Sequence, residues 1–156
     1  MAWNNPTWKA ESITVEKLNT RLRDNMTALK EPPTDYYHYS YTGASFATTT
    51  STSFAVISAN LSLSLTTTGG DVLLVFNAAA SNCYLDFTVD DERLGGTDGI
   101  LAIPTLATYG EQTQMIWLAQ NLAAGDHTFE VHWKVASGTG TLYQFVPPSF
   151  FAREVS

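Results

Sequence analysis

Cysteine is almost missing from this chain of 156 residues: Cys83 stands alone. That excludes an internal disulfide and any zinc site built on paired cysteines. Cys83 falls within an apolar alternation, so it reads as a small buried thiol. Charge is scarce as well. Charged residues make up 15% of the chain, with 15 acidic against 8 basic side chains and a net charge of −7. Phosphate binding needs clustered Lys and Arg, so no nucleic-acid partner is expected. Long hydrophobic runs are missing too. Runs such as Val72–Phe76 are far short of the roughly 20 residues that span a bilayer, so no membrane insertion is expected. The opening stretch MAWNNPTWKAES lacks the basic-then-apolar order of a secretory signal, so synthesis in a cytoplasm is expected. No nucleophile elbow, phosphate loop or HExxH occurs anywhere.

What is present points to a folded chain. Hydrophobic residues make up 44%, and Thr and Ser fill most of the polar positions. The length suits one domain with an appendage. The appendage is residues 13 to 33, ITVEKLNTRLRDNMTALKEPP, which predict a short amphipathic helix. Thr14 suits the N-cap, and Ile13 and Leu18 stand at the two positions of a hydrophobic staple. Glu16 and Lys30 match the ends of the helix dipole. Pro32 and Pro33 stop the helix, because neither can donate and Pro32 moves Glu31 out of the α region. Val15, Leu18, Leu22, Met26 and Leu29 recur at steps of three and four, forming one apolar stripe. A helix this short is marginal alone in water. Its stripe therefore requires a partner surface. Val15, Leu18, Leu22, Asn25 and Leu29 also fit alternating a and d positions of a heptad, with Asn25 as a register-fixing polar residue in the seam. Ahead of the helix, residues 1 to 12 read as an extended arm carrying Trp3 and Trp8, large anchors that gain from burial against a partner.

After the prolines the period changes to two. Tyr36 to Tyr41 is an aromatic run suited to a strand. Phe54, Val56, Ile57, Ala59, Leu61, Leu63 and Leu65 alternate with polar residues, with a phase slip at Val56–Ile57 that predicts a bulge. Asp71 to Ala80 is more continuously apolar, as in a central strand. Cys83 to Val89, Ile100 to Ile103, Gln112 to Ala119, His127 to Val135, Thr141 to Phe145 and Phe150 to Val155 follow as further strands. Gly69-Gly70, Asp90-Asp91-Glu92 with Gly95-Gly96, and Ala124-Gly125-Asp126 supply turns. Some nine or ten short strands at regular spacing predict a mainly β chain, an antiparallel jelly roll or β-sandwich. The closing strand is expected to be central and not frayed. Residues 1–33 are read as arm and helix, and 34–156 as the β-domain.

Candidate chemistry is thin. His127 and His132 fall on opposite faces of one strand and cannot share a metal. His38 reads as a hydrogen-bonding or stacked residue among tyrosines. Asp86, Asp90, Asp91, Glu92 and Asp98 form the densest acidic group. Calcium takes several oxygen ligands from a loop, but Asp and Gly equally supply the conformations of a hairpin turn, and the turn is the reading adopted. Glu130 and Glu154 could in principle serve glycoside hydrolysis, but they sit in strand alternations without an aromatic cleft. No catalytic residue, cofactor or metal is expected, and the chain is read as not an enzyme. Tyr36, Tyr37, Tyr39, Tyr41, Trp117 and Trp133 could form a sugar-stacking platform, although Trp133 is in phase with Val131 and Val135 and reads as core.

The run from Trp8 through Ile13-Thr14-Val15-Glu16, Leu18-Asn19, Leu22-Arg23-Asp24-Asn25-Met26 and Ala28-Leu29-Lys30 to Pro32-Pro33 resembles the N-terminal segment of small structural proteins of tailed bacteriophages and prophages. Leu122-Ala123-Ala124-Gly125-Asp126-His127-Thr128-Phe129 with Val131 and Trp133 is similar to a strand of trimeric jelly rolls related to the tumour-necrosis-factor and complement-head families. Phe150 to Val155 fits the closing strand of such domains. The resemblance implies a virion component made in the host cytoplasm, a homotrimeric decoration, fibre or knob protein. Its partners would be copies of itself and capsid or tail proteins. The attachment and oligomerisation residues would be Trp3, Trp8, Val15, Leu18, Leu22, Asn25, Met26 and Leu29. The alternative is a carbohydrate-binding module that meets a host-surface glycan through the tyrosine-rich strand.

Overall fold

The computed structural model describes residues 15–30, 32–38, 45–105 and 110–155. The chain is mainly β, and its antiparallel strands form two six-stranded sheets packed as a sandwich, with one helix near the N-terminus. The helix, α1, spans Val15–Lys30 and ends before the two prolines, as the sequence predicts. Thr14 and the arm with Trp3 and Trp8 lie outside the described residues. Among the described residues no helix is long and apolar enough to cross a membrane.

One sheet is built around the 12-residue strand β5 (Gly70–Ser81). Its neighbours are β1 (Thr34–His38), β2 (Ser45–Thr49), β9 (Glu111–Leu122), β11 (Gly140–Tyr143) and β12 (Ser149–Glu154). β12 and β11 pair with one edge of β5 and β9 with the other. β1 then pairs with β12, and β2 with β11. Every second residue of β5, from Val72 to Ala78, is fully buried, as expected for a strand with neighbours on both sides. The closing strand β12 lies between β1 and β5, the interior position expected from its apolar pattern.

The second sheet holds β3 (Ala55–Val56), β4 (Ser62–Thr67), β6 (Cys83–Val89), β7 (Glu92–Arg93), β8 (Leu101–Ile103) and β10 (Gly125–Lys134). Phe129, Val131 and Trp133 of β10 point inward with Leu85, Phe87 and Val89 of β6. The sheets meet at Phe87 and Phe150, whose rings stack with centroids 5.6 Å apart. Cys83 is buried, and desolvation raises its thiol pKa to about 12, which keeps it a neutral, inert packing group.

The phase slip at Val56–Ile57 is not a bulge. β3 stops there, and a single 3-10 turn, Ala59–Leu61, resets the phase before β4. Ser58 caps it, its hydroxyl accepting from the Asn60 N–H at 3.2 Å. The two-residue connection between β6 and β7 is Asp90-Asp91, both left-handed with φ of 51° and 69°. Paired left-handed residues match the twist of a tight hairpin, and Asp tolerates that conformation better than most side chains.

Candidate attachment and assembly surfaces

The stripe of α1 is uncovered. Val15 is 76% exposed, Leu18 45%, Leu22 53% and Met26 69%. Among the described residues none of α1 belongs to the core cluster, which lies between the two sheets. Asn25 is half-buried, consistent with its place at the margin of the stripe. Leu29 is in α1 by its backbone, but its side chain lies outside the described residues, as do Trp3 and Trp8 entirely. Thus the structure brings Val15, Leu18, Leu22 and Met26 onto one open face. Of the tyrosine-rich run, Tyr36 is exposed on β1, while the Tyr37 and His38 side chains and residues 39 to 41 lie outside the described residues. Trp133 is core.

The outward faces of the two sheets differ in chemistry. That of β6 and β10 is charged. Asp86 is fully buried there beneath the segment that follows β7. Its carboxylate accepts from Arg93 Nε at 2.8 Å and Nη2 at 2.7 Å, and from the Gly95 N–H at 2.8 Å. The Arg93 guanidinium lies 3.7 Å over the Phe54 ring, a favourable placement of a cation on an aromatic face. Lys134 donates to the Thr97 carbonyl at 2.7 Å and sits 3.3 Å from Asp98. These partners fold the acidic loop onto the sheet. Among the described residues no three His, Cys, Asp or Glu side chains gather where a metal ion could sit. The hydroxyl of Thr88, between Asp86 and Asp90 on β6, is buried without a hydrogen-bond partner.

At the hairpin end of β10 His127, in phase with the inward-pointing Phe129, joins two turns. Its Nδ1 is 2.6 Å from Asp90 Oδ2, and its Nε2 is 2.9 Å from the Ala123 carbonyl. With an acceptor at each nitrogen the ring favours the doubly protonated form. The Ala123 carbonyl, then the Asp90 carboxylate, raise the His127 pKa against a smaller opposing effect of burial. For Asp90, burial acts upward, but the hydrogen bonds from the Thr128 N–H and from His127 together hold it below the usual carboxylate value. His132 lies on the other face of β10 and pairs with Glu130 at 2.9 Å. Glu154, the other carboxylate considered for hydrolysis, is buried and accepts from the Thr68 N–H and hydroxyl. Each serves a local structural contact.

The outward face of the β5 sheet carries an apolar patch beside a polar row of Ser149, Asn77 and Gln114, and sequence reasoning passed over it. Direct pairing aligns Tyr36, Phe151, Val75 and Ile116 in one row across β1, β12, β5 and β9. Leu73 and Leu118 stand side by side in the next row. Ile116 is 56% and Leu118 40% exposed. The available signal was the run Met115-Ile116-Trp117-Leu118, which is apolar in both phases of a strand; that pattern belongs to a strand with both faces covered. No protein-family model matches the chain, and no curated protein matches its sequence.

Proposed function

We propose that the chain is a virion structural protein of a tailed bacteriophage or prophage, a homotrimeric decoration, fibre or knob protein that attaches to the capsid or tail through its N-terminal arm and α1. The observation that carries this reading is the open stripe of α1, from which no described residue enters the core of the sandwich. Four exposed large apolar side chains on a helix of 16 residues are unfavourable in water; each is worth roughly 1.5–3 kcal/mol when fully buried. A permanent partner resolves that cost. The scarcity of charge, 15% of residues, suits a protein held in lasting contacts. The carboxylates considered for catalysis are engaged in strand and loop contacts, which supports a role without chemistry.

The test is competition for particle incorporation between the wild-type chain and a Leu22→Asp, Met26→Asp variant of full length. The variant should be strongly under-represented in particles while keeping its β-type circular dichroism. Equal incorporation would remove α1 from the attachment surface. The glycan-binding alternative keeps Tyr36 as its exposed aromatic; a glycan array probed with the wild-type protein should be blank, and a reproducible hit abolished by Tyr36→Ala would favour that alternative.

A further inference from the structure

We propose that the outward face of the β9–β5–β12–β1 sheet is a self-association surface on which a second copy of this chain packs. The proposal deepens the assembly part of the preceding reading and rests on it only for the share contributed by α1. The face is continuous: Tyr36, Phe151, Val75 and Ile116 form one row, and Leu73 beside Leu118 extend it. Exposure of Tyr36 at 72% and Ile116 at 56% places large apolar side chains in water at both ends of that row. Monomeric proteins rarely leave a contiguous apolar patch of more than a few hundred Å² uncovered.

Charge identifies the occupant. In the rows Tyr36–Phe151–Val75–Ile116 and Thr34–Arg153–Leu73–Leu118, Arg153 is the one charged side chain. Asp86, Asp90 and Glu130 belong to strands and turns of the other sheet, and Asp71, on β5 beyond these two rows, accepts from the Asn121 N–H at 3.0 Å. A chain of net charge −7 repels its own copies, and that repulsion is weakest where two rows free of carboxylates meet. A charged partner would find almost nothing to pair with on this face. A second copy meets the same neutral, apolar surface it presents.

Area is consistent with this occupant. Four strands about 4.8 Å apart, over the two apolar rows, present a patch on the order of 260 Å². The stripe of α1, about 24 Å long, adds on the order of 240 Å². Chain continuity favours their joint use, because α1 leads through Pro32 and Pro33 directly into β1, which carries Tyr36. Over two copies the face and stripe together offer roughly 1,000 Å², the area a specific interface must reach. The face alone falls short of that area, so both surfaces are needed.

The test is sedimentation velocity over a concentration series with full-length protein: wild type, Ile116→Lys with Leu118→Lys, Leu22→Asp with Met26→Asp, and Ser64→Lys on the opposite sheet as control. The Ile116/Leu118 variant should associate about 100-fold more weakly, on the order of tenfold for each anchor lost, with unchanged far-ultraviolet circular dichroism. The control should associate like wild type. A wild type that stays monomeric, or an Ile116/Leu118 variant that assembles like wild type, overturns the proposal. If that variant fails to fold, amide exchange of the wild type decides: slower exchange in β9 at high protein concentration supports the proposal, and concentration-independent exchange overturns it. Loss of particle incorporation by the α1 variant, with normal association of the Ile116/Leu118 variant, sinks this proposal alone. Normal incorporation of the α1 variant with weakened association of the Ile116/Leu118 variant sinks the attachment reading alone.

Discussion

Gly99 has a φ of +73°, and a Cβ built there would collide with the Leu85 carbonyl oxygen and stand 2.9 Å from Phe54 Cζ. The collision is with backbone, so the neighbour cannot swing aside. Gly99→Ala should lower stability by about 1–3 kcal/mol, read from urea unfolding; a change below the error would mean the loop relaxes freely. Thr88 gives the opposite expectation. Its hydroxyl is buried without a partner, and Val has nearly the same shape without the polar atom. Thr88→Val should leave stability unchanged or raise it by up to about 1 kcal/mol; a loss of that size would show that the hydroxyl is satisfied by a solvent molecule. The Asp90–His127 pair predicts a pH dependence. The His127 pKa is raised on folding, so its contribution is full below the ordinary histidine value and lost as pH rises through the folded one. That of Asp90 is lowered, so its contribution is present above the ordinary carboxylate value and lost as pH falls through the folded one. The pair therefore stabilises most in the window between the two ordinary values, about pH 4 to 6.5. The difference in Tm between wild type and Asp90→Asn should shrink as pH rises from about 6 to 8. A constant difference across that range would show that the pair does not hold the turns together.

At the scale of elements, stability should follow the number of neighbours. β5 is flanked along both edges, whereas among the described residues β2 pairs with β11 alone. Amides of Val72 to Asn77 should exchange only through global unfolding, and those of β2 at least about 100-fold faster through local opening; equal protection would contradict this layout. The same contrast explains what the residues revealed in advance. β6 and β10 bury one face against the other sheet, and burial imposes the alternation from which they were read, whereas β5 was read from its more continuous apolar run. β2, with the sequence SFATT, was not foreseen, because a Thr-rich edge strand carries no strong apolar period. The 3-10 turn of Ala59–Leu61 looked like a bulge because both devices shift the phase of an alternation. The stripe of α1 was legible from its 3.6-residue period. The apolar face of the β5 sheet was not, because its rows combine residues from four strands far apart in sequence. Ile116 and Phe151 become neighbours of Val75 only once the register is known.

For the whole molecule, the separation of helix and sandwich makes a prediction about the minimal folding unit. The core lies between the sheets and, among the described residues, contains none of α1. The β-domain was expected to begin at residue 34, yet its ladder reaches slightly further back: the Pro33 carbonyl accepts from the Glu154 N–H at 3.0 Å, and Thr34 Oγ1 donates to the Pro32 carbonyl at 2.9 Å. Pro33 thus fastens the start of β1 to the closing strand while Pro32 holds Thr34 locally, and a chain begun at Pro32 keeps both bonds. Such a chain should be soluble and β-rich. Its association should be weaker than that of the full-length protein, because the sheet face alone falls short of the area of a stable interface. In competition with the full-length protein it should fail to enter particles, since the arm and α1 are gone. Truncation that unfolds the chain would mean that α1 supports the sandwich directly. A truncated chain that folds and incorporates as well as the full-length protein would place attachment in the sheets, and the open stripe of α1 would then serve only contacts between copies.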